Sequence, residues 1–104
     1  LGEPQNYELV SGQYKGGFGE SRPDILNRTE QLMTEIKNVN SQSFTKQIQI
    51  QINWVRNNPG WNYRMIFNAA KNPALSGPLK DALKEIGAKV FTTSDGIVLI
   101  PISF

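Results

Sequence analysis

The sequence predicts an α/β fold, or equally an α+β one, with helices flanking a mixed central β-sheet. Three observations predict it. Leu32 to Val39 alternates as a strand does, with Met33, Glu35, Lys37 and Val39 on one face and Leu32, Thr34, Ile36 and Asn38 on the other. Leu79, Ala82, Leu83 and Ile86 recur at helical spacing between Pro78, tolerated in a first helical turn, and Gly87, a natural helix stop. Strand-like runs lie on both sides of each helical pattern, which favours a parallel strand pair with helices packed across it.

Taken in order, residues 1–21 are Gly-rich and polar. Tyr7 to Val10 reads as a short strand or helical turn, and Gly12 to Ser21 as a loop. Pro23 pushes Arg22 toward extended backbone, so Asp24 to Leu26 begins a strand, and Asn27 to Glu30 is turn-like. Residues 41–57 admit two readings. Gln47 to Ile52 alternates like a strand, while Phe44, Ile48, Ile52 and Val55 form a helical stripe with Ser41 or Ser43 as N-cap and Asn57-Asn58-Pro59-Gly60 as stop. The apolar segment exceeds a usual strand, which favours helix. Tyr63 to Ala70 reads as a buried strand and Asn72 to Gly77 as a loop. Lys89 to Thr92 and Ile97 to Ile102 read as strands joined around Ser94-Asp95-Gly96.

The 104 residues are expected to form a single domain, and with Leu rather than Met as the first residue the expectation is the C-terminal fragment of a larger protein. No apolar run approaches the roughly 18–20 residues of a membrane span, and no signal-peptide pattern opens the chain. A net charge of +2 is compatible with a polyanionic partner. With no Cys and no His, thiolate nucleophiles, His-based triads and Cys- or His-ligated zinc are excluded. Chemistry must then rest on carboxylates, Lys, Ser, Thr, Tyr or a bound cofactor, and metal ions held by carboxylates lead that choice.

Asp24, Glu35 and Lys37 fit such chemistry. Glu35 and Lys37 lie two apart on one strand, so they share a face. If residues 27–30 form an even-length hairpin turn, Asp24 falls across from Met33 and one diagonal step from Glu35, about 7–8 Å away. Two carboxylates so placed converge on one divalent ion, Mg²⁺ or Mn²⁺, with the Ile36 carbonyl as a further oxygen ligand. Lys37 is then placed to orient water or offset transition-state charge. The same spacing also describes a solvated strand face carrying a surface ion pair.

Arg22-Pro23-Asp24-Ile25-Leu26, Glu35-Ile36-Lys37-Asn38-Val39 and Ser41-x-Ser43-Phe44-Thr45-x-Gln47 together resemble the PD-(D/E)xK nuclease superfamily. More narrowly they resemble the restriction-endonuclease-fold toxin domains at the C-termini of bacterial polymorphic toxins of the contact-dependent inhibition type. The resemblance implies a restriction-endonuclease-like core, metal binding by Asp24 and Glu35, a catalytic Lys37, and Gln47 beside the site on a helix over residues 44–57. Many members carry an upstream acidic residue on a first helix. No such helix is visible here, and Glu8 and Glu20 are the candidates. The implied function is a metal-dependent nuclease toxin, with DNA ahead of tRNA as substrate. The producer would need a cognate immunity protein, expected to present an acidic surface. The larger protein would be an exported effector delivered into a target cell's cytoplasm. A housekeeping repair or recombination nuclease, and a non-catalytic binding module, are the alternatives.

Other residues carry weaker functional readings. Gly16-Gly17-Phe18-Gly19 allows backbone to approach a phosphate, and Trp54, Trp61 and Tyr63 are possible base-stacking platforms. Flexible loop and core anchoring are the commoner roles of these residue types. Lys46, Arg56, Arg64, Lys71, Lys80 and Lys84 are candidate phosphate contacts or ordinary solvated charges.

Overall fold

Strand β4 (Leu32–Lys37) carries the alternation found in the sequence and holds the second place in a five-stranded sheet. The computed structural model describes residues 4–68 and 73–104. The sheet order is β3 (Ile25–Asn27), β4, β6 (Asn62–Asn68), β8 (Lys89–Thr93), β9 (Ile100–Ile102). β4, β6 and β8 are mutually parallel, and β3 and β9 run antiparallel at the two edges. Helix α1 (Lys46–Arg56) connects β4 to β6, and α2 (Gly77–Glu85) connects β6 to β8. This is the mixed α/β architecture that the sequence predicts.

Register decides which face is buried. Met33 lies beside Tyr63, and Met65 beside Val90, which in turn faces Ile102. Together with Ile48, Ile52 and Val55 of α1 and Leu79 and Leu83 of α2, they form the core. Glu35 and Lys37 share the strand face of Met33, so the candidate site opens from the helix-covered side of the sheet.

The ambiguous segment is a helix, and its strand-like alternation has a physical cause. Ile48, Ile50 and Ile52 are all buried, but against two different surfaces. Ile48 and Ile52 enter the sheet-side core. Ile50 is instead covered by a hairpin that the sequence reads as loop: β1 (Val10–Tyr14) pairs antiparallel with β2 (Gly17–Ser21) through a turn at Lys15-Gly16. Polar anchors hold this hairpin to α1. The Lys15 N–H donates to Gln49 Oε1 at 2.7 Å, and Asn53 Nδ2 donates to the Gln13 carbonyl at 2.6 Å. Gly12 allows the closest approach, since a Cβ there would stand 2.5 Å from the Ile50 carbonyl oxygen. Gly12→Ala is therefore expected to destabilise the protein by about 1–3 kcal/mol. Urea unfolding measures this, and an unchanged midpoint would show that the hairpin shifts off α1 at little cost.

Several boundaries differ from the sequence reading. The N-cap of α1 is Thr45, whose hydroxyl accepts from the Ile48 N–H at 3.4 Å; Ser41 instead begins β5 (Ser41–Gln42). β5 pairs in parallel with β7 (Ala74–Leu75), which lies in the expected 72–77 loop. Ala69 and Ala70 of the expected 63–70 strand, and Lys71 and Asn72 after them, lie outside the described residues. Gly87, at φ 67°, follows α2, and the Gly87 and Ala88 N–H groups donate to Lys84 and Leu83 carbonyls, a Schellman closure. β9 begins at Ile100 rather than Ile97, because Asp95 Oδ1 takes the N–H groups of Ile97 and Val98 in a local turn.

Candidate active site

The site begins where β3 starts. β3 and β4 pair with Ile25 opposite Thr34 and Asn27 opposite Leu32. This register is two residues away from the expected one, because the connection spans Arg28 to Gln31 and Gln31 adopts φ 53°. An even slip preserves the face. Continued by one residue, it sets Asp24 opposite Glu35 rather than diagonal to it. One residue further the partner of Ile36 would be Pro23, which has no N–H to give to a ladder. The Asp24 side chain fills that place: its Oδ2 accepts from the Ile36 N–H at 2.7 Å. The Ile36 carbonyl turns to the same edge, since a strand residue presents both backbone groups to one neighbour.

Asp24 and Glu35 are tied directly as well, the Asp24 N–H donating to Glu35 Oε1 at 3.3 Å. Glu35 is buried at 3% exposure, and its Oε2 meets Lys37 Nζ at 3.2 Å. Lys37 Nζ also lies 3.5 Å from Gln47 Oε1, on the first turn of α1. Asp24, Glu35, Lys37 and Gln47 thus form one connected group, and Lys37 faces outward from it with its side chain 22% exposed. Burial lifts the Glu35 carboxyl above the usual glutamate range; the Asp24 charge pushes it further up, and the Lys37 charge pulls it back.

The expected upstream acidic residues do not join this group. Glu8 is exposed and ion-paired to Arg28 at 2.6 Å, and Glu20 is exposed on β2. Among the described residues, no third carboxylate gathers with Asp24 and Glu35. Two carboxylates and a backbone carbonyl still suit Mg²⁺, which takes one or two carboxylates and fills its remaining positions with water and substrate oxygens. The mutual repulsion of Asp24 and Glu35 is the kind that a cation relieves.

Four contributors were missed in the sequence. Gln51, wholly buried on α1, donates from Nε2 to Glu35 Oε1 at 3.2 Å and to Ser21 Oγ at 3.0 Å, and its Oε1 accepts from the Tyr63 hydroxyl at 2.7 Å. Asn6 clamps the 23–24 backbone: its N–H donates to the Asp24 carbonyl at 2.9 Å and its side chain to the Pro23 carbonyl at 3.0 Å. The spacing of Gln47 and Gln51, one helical turn apart, was a usable signal for Gln51. Nothing in the sequence marks Ser21 or Asn6, and the buried-strand and core-anchor reading of Tyr63, which its burial bears out, gives its hydroxyl no part in the site.

The weaker candidates resolve mostly into structure. Tyr63 is 1% exposed and unavailable to a nucleic-acid base. Trp54 and Trp61 meet edge to face at 4.9 Å against the core. Lys46 Nζ stands 4.7 Å from the Tyr14 ring centre, Arg56 is ion-paired to Glu85 across the two helices, and Arg64 donates to Thr34 Oγ1. A surface groove is lined by Val39, two residues after Lys37 in the chain, and by Ser41, Ser43, Leu75 and Ser76.

A five-stranded mixed sheet with two helices on its core face is a restriction-endonuclease-like fold. The chain belongs to a restriction endonuclease fold toxin family: the family model described as restriction endonuclease fold toxin 7 matches residues 5–79, from the segment before β1 to the start of α2. Neither the curated proteins nor the solved structures contain a significant match to the chain. No helix among the described residues is long and apolar enough to cross a membrane.

Proposed function

We propose that this toxin domain is a metal-dependent nuclease that hydrolyses phosphodiester bonds in DNA. The observation that carries the reading is the joining of Asp24, Glu35, Lys37 and Gln47 into one group at the β3–β4 edge. Asp24, Glu35 and the Ile36 carbonyl would hold a divalent cation, Mg²⁺ or Mn²⁺. When bound, such an ion supplies Lewis acidity and lowers the pKa of water. Lys37 positions the attacking water or neutralises charge growing on the phosphate. Gln47 holds the Lys37 ammonium in place from α1. Ser41, Ser43 and Ser76 offer hydroxyls along the groove that Val39 also lines, where the substrate backbone would run.

The test is incubation with plasmid DNA and with total tRNA, in Mg²⁺ or Mn²⁺ and in chelator. DNA cleavage is expected with either metal and none with chelator. Cleavage of tRNA alone would move the substrate to RNA, and cleavage undiminished by chelator would remove the metal from the mechanism.

Delivery into the cytoplasm of a target cell, as the effector part of an exported protein, fits a nuclease toxin. The producing cell then needs an immunity protein. A domain of net charge +2 that attracts a polyanion favours an inhibitor with an acidic surface, which speeds encounter and sharpens specificity. Co-expression with the product of the neighbouring downstream reading frame is expected to restore growth and give a stable complex on size exclusion. Harmless expression of the folded domain alone would count against the toxin reading.

A further inference from the structure

The polar chain from Tyr63 through Gln51 to Glu35 runs beside the apolar core between sheet and helices. Gln51 is 0% and Tyr63 1% exposed, and their neighbours in the core include Ile48, Ile52, Met33 and Met65. Burying a tyrosine hydroxyl, an amide and a carboxylate together gains little stability over well-packed hydrocarbon. The geometry instead fixes an orientation. The Tyr63 hydroxyl donates to Gln51 Oε1 at 2.7 Å, so the Gln51 oxygen points to β6 and its amide nitrogen points to Glu35. A flipped amide would set its oxygen against the carboxylate. Ser21 Oγ accepts from the same nitrogen at 3.0 Å and holds the amide from the hairpin side. Oε1 of Glu35 therefore receives two donors, the Gln51 amide and the Asp24 N–H, while Oε2 is left to Lys37.

We infer that Tyr63 and Gln51 are positioning residues: Tyr63 locks the Gln51 amide, and Gln51 pins one oxygen of Glu35 so that the other faces Lys37 and a cation. Neither touches substrate. The inference rests on the proposed role of Glu35 as a metal ligand, and it adds the device that aims that ligand. Residues that orient a metal-binding side chain commonly govern metal affinity by about 10–100-fold.

Tyr63→Phe removes one hydroxyl and keeps the ring in the core. Metal-free crystal structures of the wild type and of Tyr63→Phe are compared, and Mn²⁺ affinity is measured by titration calorimetry without nucleic acid. In the variant the Glu35 carboxylate is expected to leave its place beside the Asp24 N–H or to occupy two positions. Mn²⁺ binding should weaken by about 10-fold or more. In a Glu35→Gln background, Tyr63→Phe should change Mn²⁺ affinity no further. Should Tyr63→Phe fail to fold, Gln51→Asn withdraws the amide from Glu35 by one methylene and is read the same way. An unmoved Glu35 carboxylate overturns the inference, even if the melting temperature falls, because the hydroxyl then serves packing alone. A displaced carboxylate with unchanged Mn²⁺ affinity, or a wild type that binds no Mn²⁺, would leave the positioning intact and remove Glu35 from the metal-ligand reading.

Discussion

Lys37→Ala is expected to lower the rate of DNA cleavage by about 10²–10³-fold, the usual cost of losing one preorganised group that stabilises transition-state charge. The fold should survive, since Lys37 is the last residue of β4 and its side chain is partly exposed. Metal binding should survive as well, because Asp24 and Glu35 are untouched. Lys37→Arg is expected to restore little. The ammonium sits between Glu35 Oε2 and Gln47 Oε1 as a compact charge, and a planar guanidinium presents its donors in a different geometry. The measurements are the single-turnover cleavage rate at saturating metal and the growth of cells expressing each variant. A Lys37→Ala protein that cleaves at the wild-type rate would show that charge stabilisation comes from another group.

The site was legible because it depends on parity. Any even-length connection between β3 and β4 sets Asp24, Glu35 and Lys37 on one face, so the wrong register still gave the right side. Register itself was not legible. It depends on Gln31 taking a left-handed conformation, and no residue type between 27 and 32 advertises that. The alternation of Gln47 to Ile52 imitates a strand, although segment length and the Phe44, Ile48, Ile52 and Val55 stripe already favour the helix that is found. Period-two burial in a helix arises when two surfaces cover it, and the second surface was the unrecognised β1–β2 hairpin. That hairpin was hidden because its strands are Gly-rich and polar, with neither the β-branched content nor the alternation that marks strands. Gly12 and Gly19 are small because α1 passes over them: an added Cβ would meet the Ile50 backbone at one and its side chain at the other.

The buried half of the site was the least legible part. Gln51 lies among isoleucines on a helix, where composition alone predicts a solvent-facing glutamine. Its burial becomes intelligible only once Tyr63, Ser21 and Glu35 are placed around it. Asn6 acts from seventeen residues away on a carbonyl of Pro23, a partner that no local pattern specifies. The candidate site residues Asp24, Glu35 and Lys37 are thus marked by short motifs, while the groups that surround them are set by tertiary packing.

Glu35→Gln is expected to abolish metal-dependent cleavage and, in chelator at neutral pH, to raise the melting temperature. The two effects have one source. Glu35 is buried beside Asp24, and burial followed by that like charge raises its pKa in the folded protein despite the attraction of Lys37. The folded state therefore binds this proton more tightly than the unfolded chain does. Its contribution to stability is most favourable below the unfolded value of about 4.5, and it declines as pH rises through the higher folded value. Above that window, ionised Glu35 imposes its full cost. A neutral glutamine of nearly the same shape removes the cost and retains an oxygen to accept from the Asp24 N–H and the Gln51 amide. The advantage of Glu35→Gln should be largest near pH 7–8 and shrink toward pH 4, where the wild-type carboxyl is itself protonated. Thermal unfolding of both proteins across that range, without metal, makes the comparison. If the variant melts below the wild type at neutral pH, the ion pair with Lys37 outweighs burial and repulsion together, and Glu35 stabilises the fold it was expected to strain.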